Sequence, residues 1–533
     1  MTVRDAALDV MRRFGMTTIF GNPGSTEITF LTDLPSDFEF VLALHEGSVV
    51  GIASGYALAR GVPSFVNLHT APGLGNAVNA IANARDCRAP LVIVVGQQDR
   101  RQMAFEPFLT GRALERVAGE YPVWSSLPAR PQDVPGAIAR AYHEALAARG
   151  PALVVVPMGD WLEEADPLAV GAPARINHAS AVAEADLAPL VALVDAASAP
   201  ALVLGAGADT REGWDAVVAL AERLSAPVWQ EAFGSRAGFP QDHPLFAGHL
   251  PWMRARMQEK LASHDLLVAI GTGAFRAYLF DEPVALVAPG TRVAVITADA
   301  AEAHRSPCDV AVVGPVAAAC STLAGLVQPR GVRGEGSRRD PIHPRPDPPP
   351  PPEPGELLRA GHVLSALAQR LPADAVVVEE TPSSRPELLE RIPARAPLGF
   401  VSNANGGLGF GVSGATGLKL GLPDRPVLAV LGDGSTMYNI QTLWSAARYD
   451  VGVLLIVLRN GGYAIMDELA RARGGRGAWP GFSEIDIAGI AGNLGCPAVR
   501  VATQDELVRT LDEVVPGLAA RREPLLLEVT VAP

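Results

Sequence analysis

Short apolar runs separated by glycine-rich turns set the pattern of this chain. The runs 64–68, 91–95, 201–204, 266–270, 293–296 and 427–431 lack the strict alternation of a half-buried strand. They predict parallel strands covered on both faces. Segments such as 48–60 and 440–449 have helical length and composition and lie between two strands. Strand–helix alternation with short turns predicts an α/β fold of three doubly wound parallel sheets. The blocks fall at 1–170, 181–328 and 356–533, with a proline-rich linker at 329–355. That proline tract favours an extended spacer, at ~3.1 Å per residue.

Composition narrows the function. The length of 533 residues suits three domains. A net charge of −13 argues against nucleic acid as the main partner. No run reaches the ~18–20 apolar residues of a membrane span. The amino-terminal segment carries acids within an amphipathic pattern, unlike a signal peptide. Cys87, Cys308, Cys320 and Cys496 show no C-x-x-C spacing, which predicts reduced thiols in a cytoplasm and no zinc site. Lys260 and Lys419 are the only lysines, and neither follows a P-loop pattern. Gly205-Ala206-Gly207-Ala208 is either a nucleotide turn or a tight strand-to-helix turn. No G-x-G-x-x-G is completed there.

Candidate chemistry sits at strand ends, where open sheets bind ligands. Ser25, Glu46 and His69 occupy three such ends in the first block. Each has a plain alternative: a turn residue, a first-turn helix acid and a satisfied histidine. His45 reads as structural. In the last block the turns 381–384, 406–409, 432–435 and 460–462 are small and expose backbone. Asp433 and Asn460 leave neighbouring strands, so their oxygens can converge on one hard cation, with the Gly462 carbonyl beside them. Thr381, Ser383, Gly434 and Ser435 suit phosphate oxygens. Glu380 either lines the site or caps a helix. Tyr463 packs against or bonds the phosphates.

G-D-G at 432–434, 25 residues, then N-G-G at 460–462 resembles the thiamine diphosphate signature. G-N-P-G-S at 21–25, H-E-G at 45–47, H-T-A-P-G-L-G-N at 69–76 and G-G-L-G-F at 406–410 agree with it. Over nearly the whole chain the pattern resembles the thiamine diphosphate-dependent 2-oxo acid decarboxylases, most of all the benzoylformate decarboxylases. The resemblance implies thiamine diphosphate and Mg2+ as cofactors. It implies non-oxidative decarboxylation through an ylide and an enamine, with release of an aldehyde or its ligation to an acceptor aldehyde. Asp433, Asn460 and Gly462 would hold magnesium. Glu46 would contact the aminopyrimidine, Gly406 its amino group, and Leu408 would bend the cofactor. Ser25 would position the substrate carboxylate, and His69 would move protons. The resemblance also implies a homodimer or homotetramer. Two other readings are a flavin-binding acetohydroxyacid synthase or oxidase relative, and an inactive scaffold.

The chain departs from that pattern in the substrate pocket. Tyr278, within 274–279, stands where those decarboxylases bring a second histidine. A phenol, with a pKa of roughly 10, donates protons poorly at neutral pH. Ile465 adds bulk to the same pocket. The first departure favours relatively more carboligation or a different substrate, and the second counts against an aromatic substrate.

Overall fold

Strands form where the apolar runs lie, because a parallel strand must bury both faces. The computed structural model describes residues 1–167, 173, 175–178, 180–278, 284–330 and 340–533. They build three parallel six-stranded sheets with flanking helices. The first runs, in spatial order, Glu39–Leu42, Thr18–Gly21, Ser64–Leu68, Leu91–Gln97, Pro151–Pro157, Trp124–Ser126. The third runs Phe400–Ser402, Val376–Glu380, Val427–Gly432, Leu454–Arg459, Leu525–Thr530, Ala498–Val501. These two sheets share one topology. The middle sheet differs: Val310–Val313, Arg292–Thr297, Leu266–Ile270, Pro200–Leu204, Val228–Gln230, Phe246–His249.

The first and third sheets share one hydrophobic core, which includes Val49, Ile52, Leu68, Val412, Leu418 and Leu431. At its centre helix Glu46–Arg60 lies on helix Phe410–Gly421. Glycines allow that approach. A Cβ on Gly55 would stand 2.1 Å from the Gly414 carbonyl oxygen, and one on Gly417 1.9 Å from that of Ile52. No side chain fits either place.

The helix expected at 440–449 is Thr442–Arg448, and a second short helix, Asp433–Tyr438, precedes it. Asn439 lies between the two. Its amide donates to the Gly409 carbonyl at 2.7 Å, and Ser48 donates to its oxygen at 3.2 Å. The Gly205–Ala208 turn is a packing turn. Gly207 N–H donates to the Gly271 carbonyl at 2.8 Å, so that amide is not free for a phosphate.

In the linker, 331–339 lie outside the described residues, as do 168–170 at the end of the first block. Residues 340–355 carry no helix or strand, yet they are pinned. Arg345 donates to the carbonyls of Gln241, Leu389 and Glu390 at 2.8, 3.0 and 2.8 Å. Among the described residues no helix is long and apolar enough to cross a membrane.

Candidate active site

Both related sheets reverse strand order beside their first strand, and such reversals open a crevice at the carboxyl ends. In the first sheet the crevice lies between Thr18–Gly21 and Ser64–Leu68, so the loop holding Ser25 faces the loop opened by His69. In the third it lies between Val376–Glu380 and Val427–Gly432. There Thr381 faces Asp433.

Glu46 starts its helix and is 8% exposed. His45 caps that helix by accepting from Gly47 N–H at 3.0 Å, the structural part expected of it. The Asn22 and Asn76 amides donate to the two Glu46 oxygens at 3.1 and 3.0 Å. His69 Nδ1 meets Glu27 at 2.9 Å and the Thr26 hydroxyl at 3.1 Å. Glu27 is 1% exposed and also accepts from Gly24 N–H at 2.8 Å. An imidazole with Nδ1–H on a carboxylate presents Nε2 to the outside. Thr70 follows at φ +32°, an unusual value for a β-branched residue. Ser25 is exposed on the neighbouring loop.

The third sheet carries a cavity of about 950 Å³. Thr381, Ser383, Gly406, Leu408, Asp433, Gly434, Ser435, Asn460, Gly462, Tyr463, Ile465 and Tyr278 all line it. Asp433 is 4% exposed. Its oxygens accept from the N–H groups of Gly434, Asn460 and Gly461 at 2.7, 3.0 and 2.7 Å. Among the described residues no basic side chain pairs with it. Asn460 Oδ1 accepts from Gly462 N–H at 3.2 Å. Tyr463 packs against Gly434, where a Cβ would stand 2.8 Å from its ring. Ser383 Oγ accepts from Ile465 N–H at 3.0 Å, which leaves its proton free to donate. Tyr278 is 63% exposed at the rim, with edge contacts to Phe233 and Trp252. Its neighbour Leu279 lies outside the described residues.

Glu380 is a cap. It is 3% exposed and accepts from the N–H groups of Gly409, Phe410 and Gly411 at 3.0, 3.1 and 3.0 Å. Burial pushes its carboxyl up to about 7, and those donors pull the other way. Glu27, Asn22, Asn76 and Asn403 escape a reading of the sequence. The return of distant loops brings Glu27 to His69, Asn22 and Asn76 to Glu46, and Asn403 to Glu380, and a G-N-P-G-S-T-E run does not announce which acid meets a histidine 42 residues on.

The residues therefore fall into two groups. Asn22, Ser25, Glu46 and His69 line no part of the cavity around Asp433. That cavity suits a magnesium diphosphate. It offers a buried carboxylate without a cation, an amide oxygen, hydroxyls and side-chain-free backbone. Among the described residues no cluster of three His, Cys, Asp or Glu forms a competing all-protein metal site.

Comparison with known proteins finds three family models in chain order. The thiamine pyrophosphate enzyme models match at 1–114 (N-terminal TPP binding domain), 187–323 (central domain) and 388–529 (C-terminal TPP binding domain). The chain is 38% identical to a benzoylformate decarboxylase of Pseudomonas aeruginosa, over 99% of this chain and 98% of that one. An acetolactate synthase large subunit of Parasynechococcus marenigrum is 27% identical, over 85% and 75%. Among solved structures, a thiamine diphosphate-dependent 4-hydroxybenzoylformate decarboxylase of Rhodococcus jostii RHA1 superposes with a TM-score of 0.92. It is 34% identical, over 100% of this chain and 99% of that one. A benzoylformate decarboxylase from Polynucleobacter necessarius gives 0.91 at 31% identity, over 100% and 98%.

Proposed function

Because the chain belongs to the thiamine pyrophosphate enzyme family, we propose that Glu46 and Asp433 serve one bound thiamine diphosphate, each contributed by a different copy of the chain. The activity is thiamine diphosphate-dependent decarboxylation of a 2-oxo acid, which makes the chain a carboxy-lyase. The bound cofactor supplies an electron sink for the pair left behind as carbon dioxide departs.

One observation carries the site assignment: Asp433 is a buried carboxylate at the wall of the cavity, without a cationic partner among the described residues. Burying an anion alone is costly, and a divalent cation removes that cost. Asn460 Oδ1 and the Gly462 carbonyl add the hard oxygens that magnesium prefers. The hydroxyls of Thr381, Ser383 and Ser435 and the bare backbone of Gly434 take the phosphates, with Tyr463 packed alongside. The Gly406 carbonyl and Leu408 meet the cofactor's rings, on a loop whose next residues are tied to Glu380.

Glu46 holds the aminopyrimidine nitrogen and its proton. Ser25 orients the substrate carboxylate. His69, with Nδ1 fixed by Glu27, moves a proton at the substrate's carbonyl oxygen through Nε2. These residues line none of the Asp433 cavity, so a second copy must supply them. A homodimer is the minimum assembly, and a homotetramer is two such dimers. Four free cysteines suit a reducing cytoplasm.

The substrate is an aryl 2-oxo acid of the benzoylformate kind. Tyr278, Phe233 and Trp252 form an aromatic edge at the cavity rim, and three of the relatives above are named as benzoylformate or 4-hydroxybenzoylformate decarboxylases. Tyr278 offers a phenol as proton donor there, so an acceptor aldehyde competes better with protonation and some hydroxyketone forms. A panel of 2-oxo acids, scored for carbon dioxide and organic product, tests this. Benzoylformate should be decarboxylated fastest, and added aldehyde should divert product to hydroxyketone. Faster turnover of an aliphatic 2-oxo acid contradicts the aryl assignment, and pure aldehyde release contradicts the role given to Tyr278.

A further inference from the structure

The turn that carries His69 is strained. Strand Ser64–Leu68 passes into helix Thr70–Asp86 through a single residue, His69. Connections between a strand and a helix ordinarily take about 2–6 residues. The whole change of direction therefore falls on His69 and Thr70. Thr70 absorbs it with φ +32°, and among the described residues it is the only β-branched residue with positive φ. Two heavy atoms on Cβ make that region unfavourable, and such outliers persist only where the surroundings over-determine them.

The ordinary reason for a threonine at a helix start, capping, does not apply. His69 stands at the N-cap and makes no side-chain cap bond. The Thr70 hydroxyl oxygen is fully buried and has no hydrogen-bond partner among the described residues. Packing on both sides holds the turn instead. The strand is buried along its whole length, and Leu74, Ala77 and Ile81 bury the inner face of the helix. The His69 carbonyl accepts from Gly73 N–H at 2.7 Å. A Cβ on Gly73 would stand 3.3 Å from His69 Cβ and 3.4 Å from a Glu46 carboxylate oxygen, so the first helical turn lies against both residues.

We propose that Thr70 is a positioning residue, whose left-handed backbone aims the His69 imidazole at Glu27 and toward the substrate. With strand and helix fixed, an ordinary helical φ of about −63° would rotate the peptide between His69 and Thr70 by about 95°. The imidazole would then leave Glu27, which it meets at 2.9 Å, and Thr26, at 3.1 Å. A sharp, strained strand-to-helix turn lifts the nucleophile of the α/β-hydrolases above their sheet by the same means. The strain stands on the backbone alone, whereas its use in catalysis rests on the role given to His69 above.

The test compares Thr70→Gly with Thr70→Ala in the holoenzyme. Ala keeps a Cβ and with it the strain, and Gly removes both. In an ordinary helix Gly is the less stable of the two. Here the order should reverse, with Tm of Thr70→Gly above that of Thr70→Ala by about 2 °C or more. The relaxed turn no longer aims the imidazole, so the more stable chain should be the slower one. Its kcat should lie about tenfold or more below that of Thr70→Ala, with KM for the 2-oxo acid within about twofold. A merely structural threonine would give the opposite, with activity following stability. Thr70→Ser, which keeps the Cβ and the hydroxyl, is the reference if Thr70→Ala does not fold. A Thr70→Gly Tm at or below the reference overturns the strain and the proposal with it. A higher Tm with equal kcat, or a loss carried by KM, overturns the positioning role. His69→Ala is assayed alongside: full activity there contradicts the active-site reading, while the order of Tm values still decides the strain.

Discussion

Glu27 shows what a single residue contributes that its neighbours in sequence do not reveal. It is buried, accepts from Gly24 N–H and holds His69 Nδ1. In the proposed site it is a positioning residue, acting on substrate only through the imidazole. Glu27→Gln keeps the shape and removes the anion. We expect kcat to fall on the order of 100-fold, with KM much less affected. Unchanged kcat in a folded variant, or a loss confined to KM, would remove Glu27 from the account. The sequence announces Glu46, Asp433 and Asn460 more openly, because their spacing is tied to strand ends. The role of Glu380 stays open until the Gly409–Gly411 backbone is seen to fold onto its carboxylate.

Elements were legible in proportion to how fully they are buried. Ser64–Leu68 and Leu266–Ile270 coincide with their apolar runs. Trp124–Ser126, Val228–Gln230 and Ala498–Val501 are three or four residues long at or near sheet edges, too short to carry a period. The helix expected at 440–449 is found at Thr442–Arg448, but the short helix Asp433–Tyr438 before it was not legible, because Asn439 leaves the helical path to join Ser48 and Gly409. The helix pair Glu46–Arg60 and Phe410–Gly421 reads in sequence as two small-residue segments with no stated partner. Their glycines make sense only once the helices touch. Gly417→Ala tests the contact, since its Cβ would meet the Ile52 carbonyl at 1.9 Å. We expect a loss of about 3 kcal/mol or more in denaturant unfolding. A change under about 0.5 kcal/mol would mean that the helices separate without cost.

The whole molecule is stitched where the middle sheet meets the third. His249 lies in that seam. Its Nε2 accepts from the Gln241 amide at 3.2 Å, and Gln241 Oε1 accepts from Ala394 N–H at 2.9 Å, which fixes the amide's orientation. Burial, then the nearby charges of Arg345 and Arg385, lower the His249 pKa to about 3 from an ordinary 6.5. The folded state therefore holds a neutral imidazole, while the unfolded chain takes up a proton below about pH 6.5. This contribution is fully present above pH 6.5 and is lost as pH falls toward 3. Unfolding free energy should decline by up to about 1.4 kcal/mol per pH unit in that window from this group. His249→Leu should flatten the decline, and an unaltered slope would acquit the histidine. The pinned linker beside it was legible as composition only, because the carbonyls that hold Arg345 come from other segments.

The central claim is that Glu46 and Asp433 act on one cofactor although one chain keeps them in separate places. Subunit mixing tests it most directly. Glu46→Gln and Asp433→Ala chains are each assayed alone for carbon dioxide release, then co-expressed, purified together without separating the oligomers and assayed again. Each variant alone should be nearly inactive. Random mixing leaves half the dimers mixed and one of two sites intact in each, so activity should return to about a quarter of wild type. Mixed oligomers as inactive as their parents would contradict the claim and return both residues to the same chain.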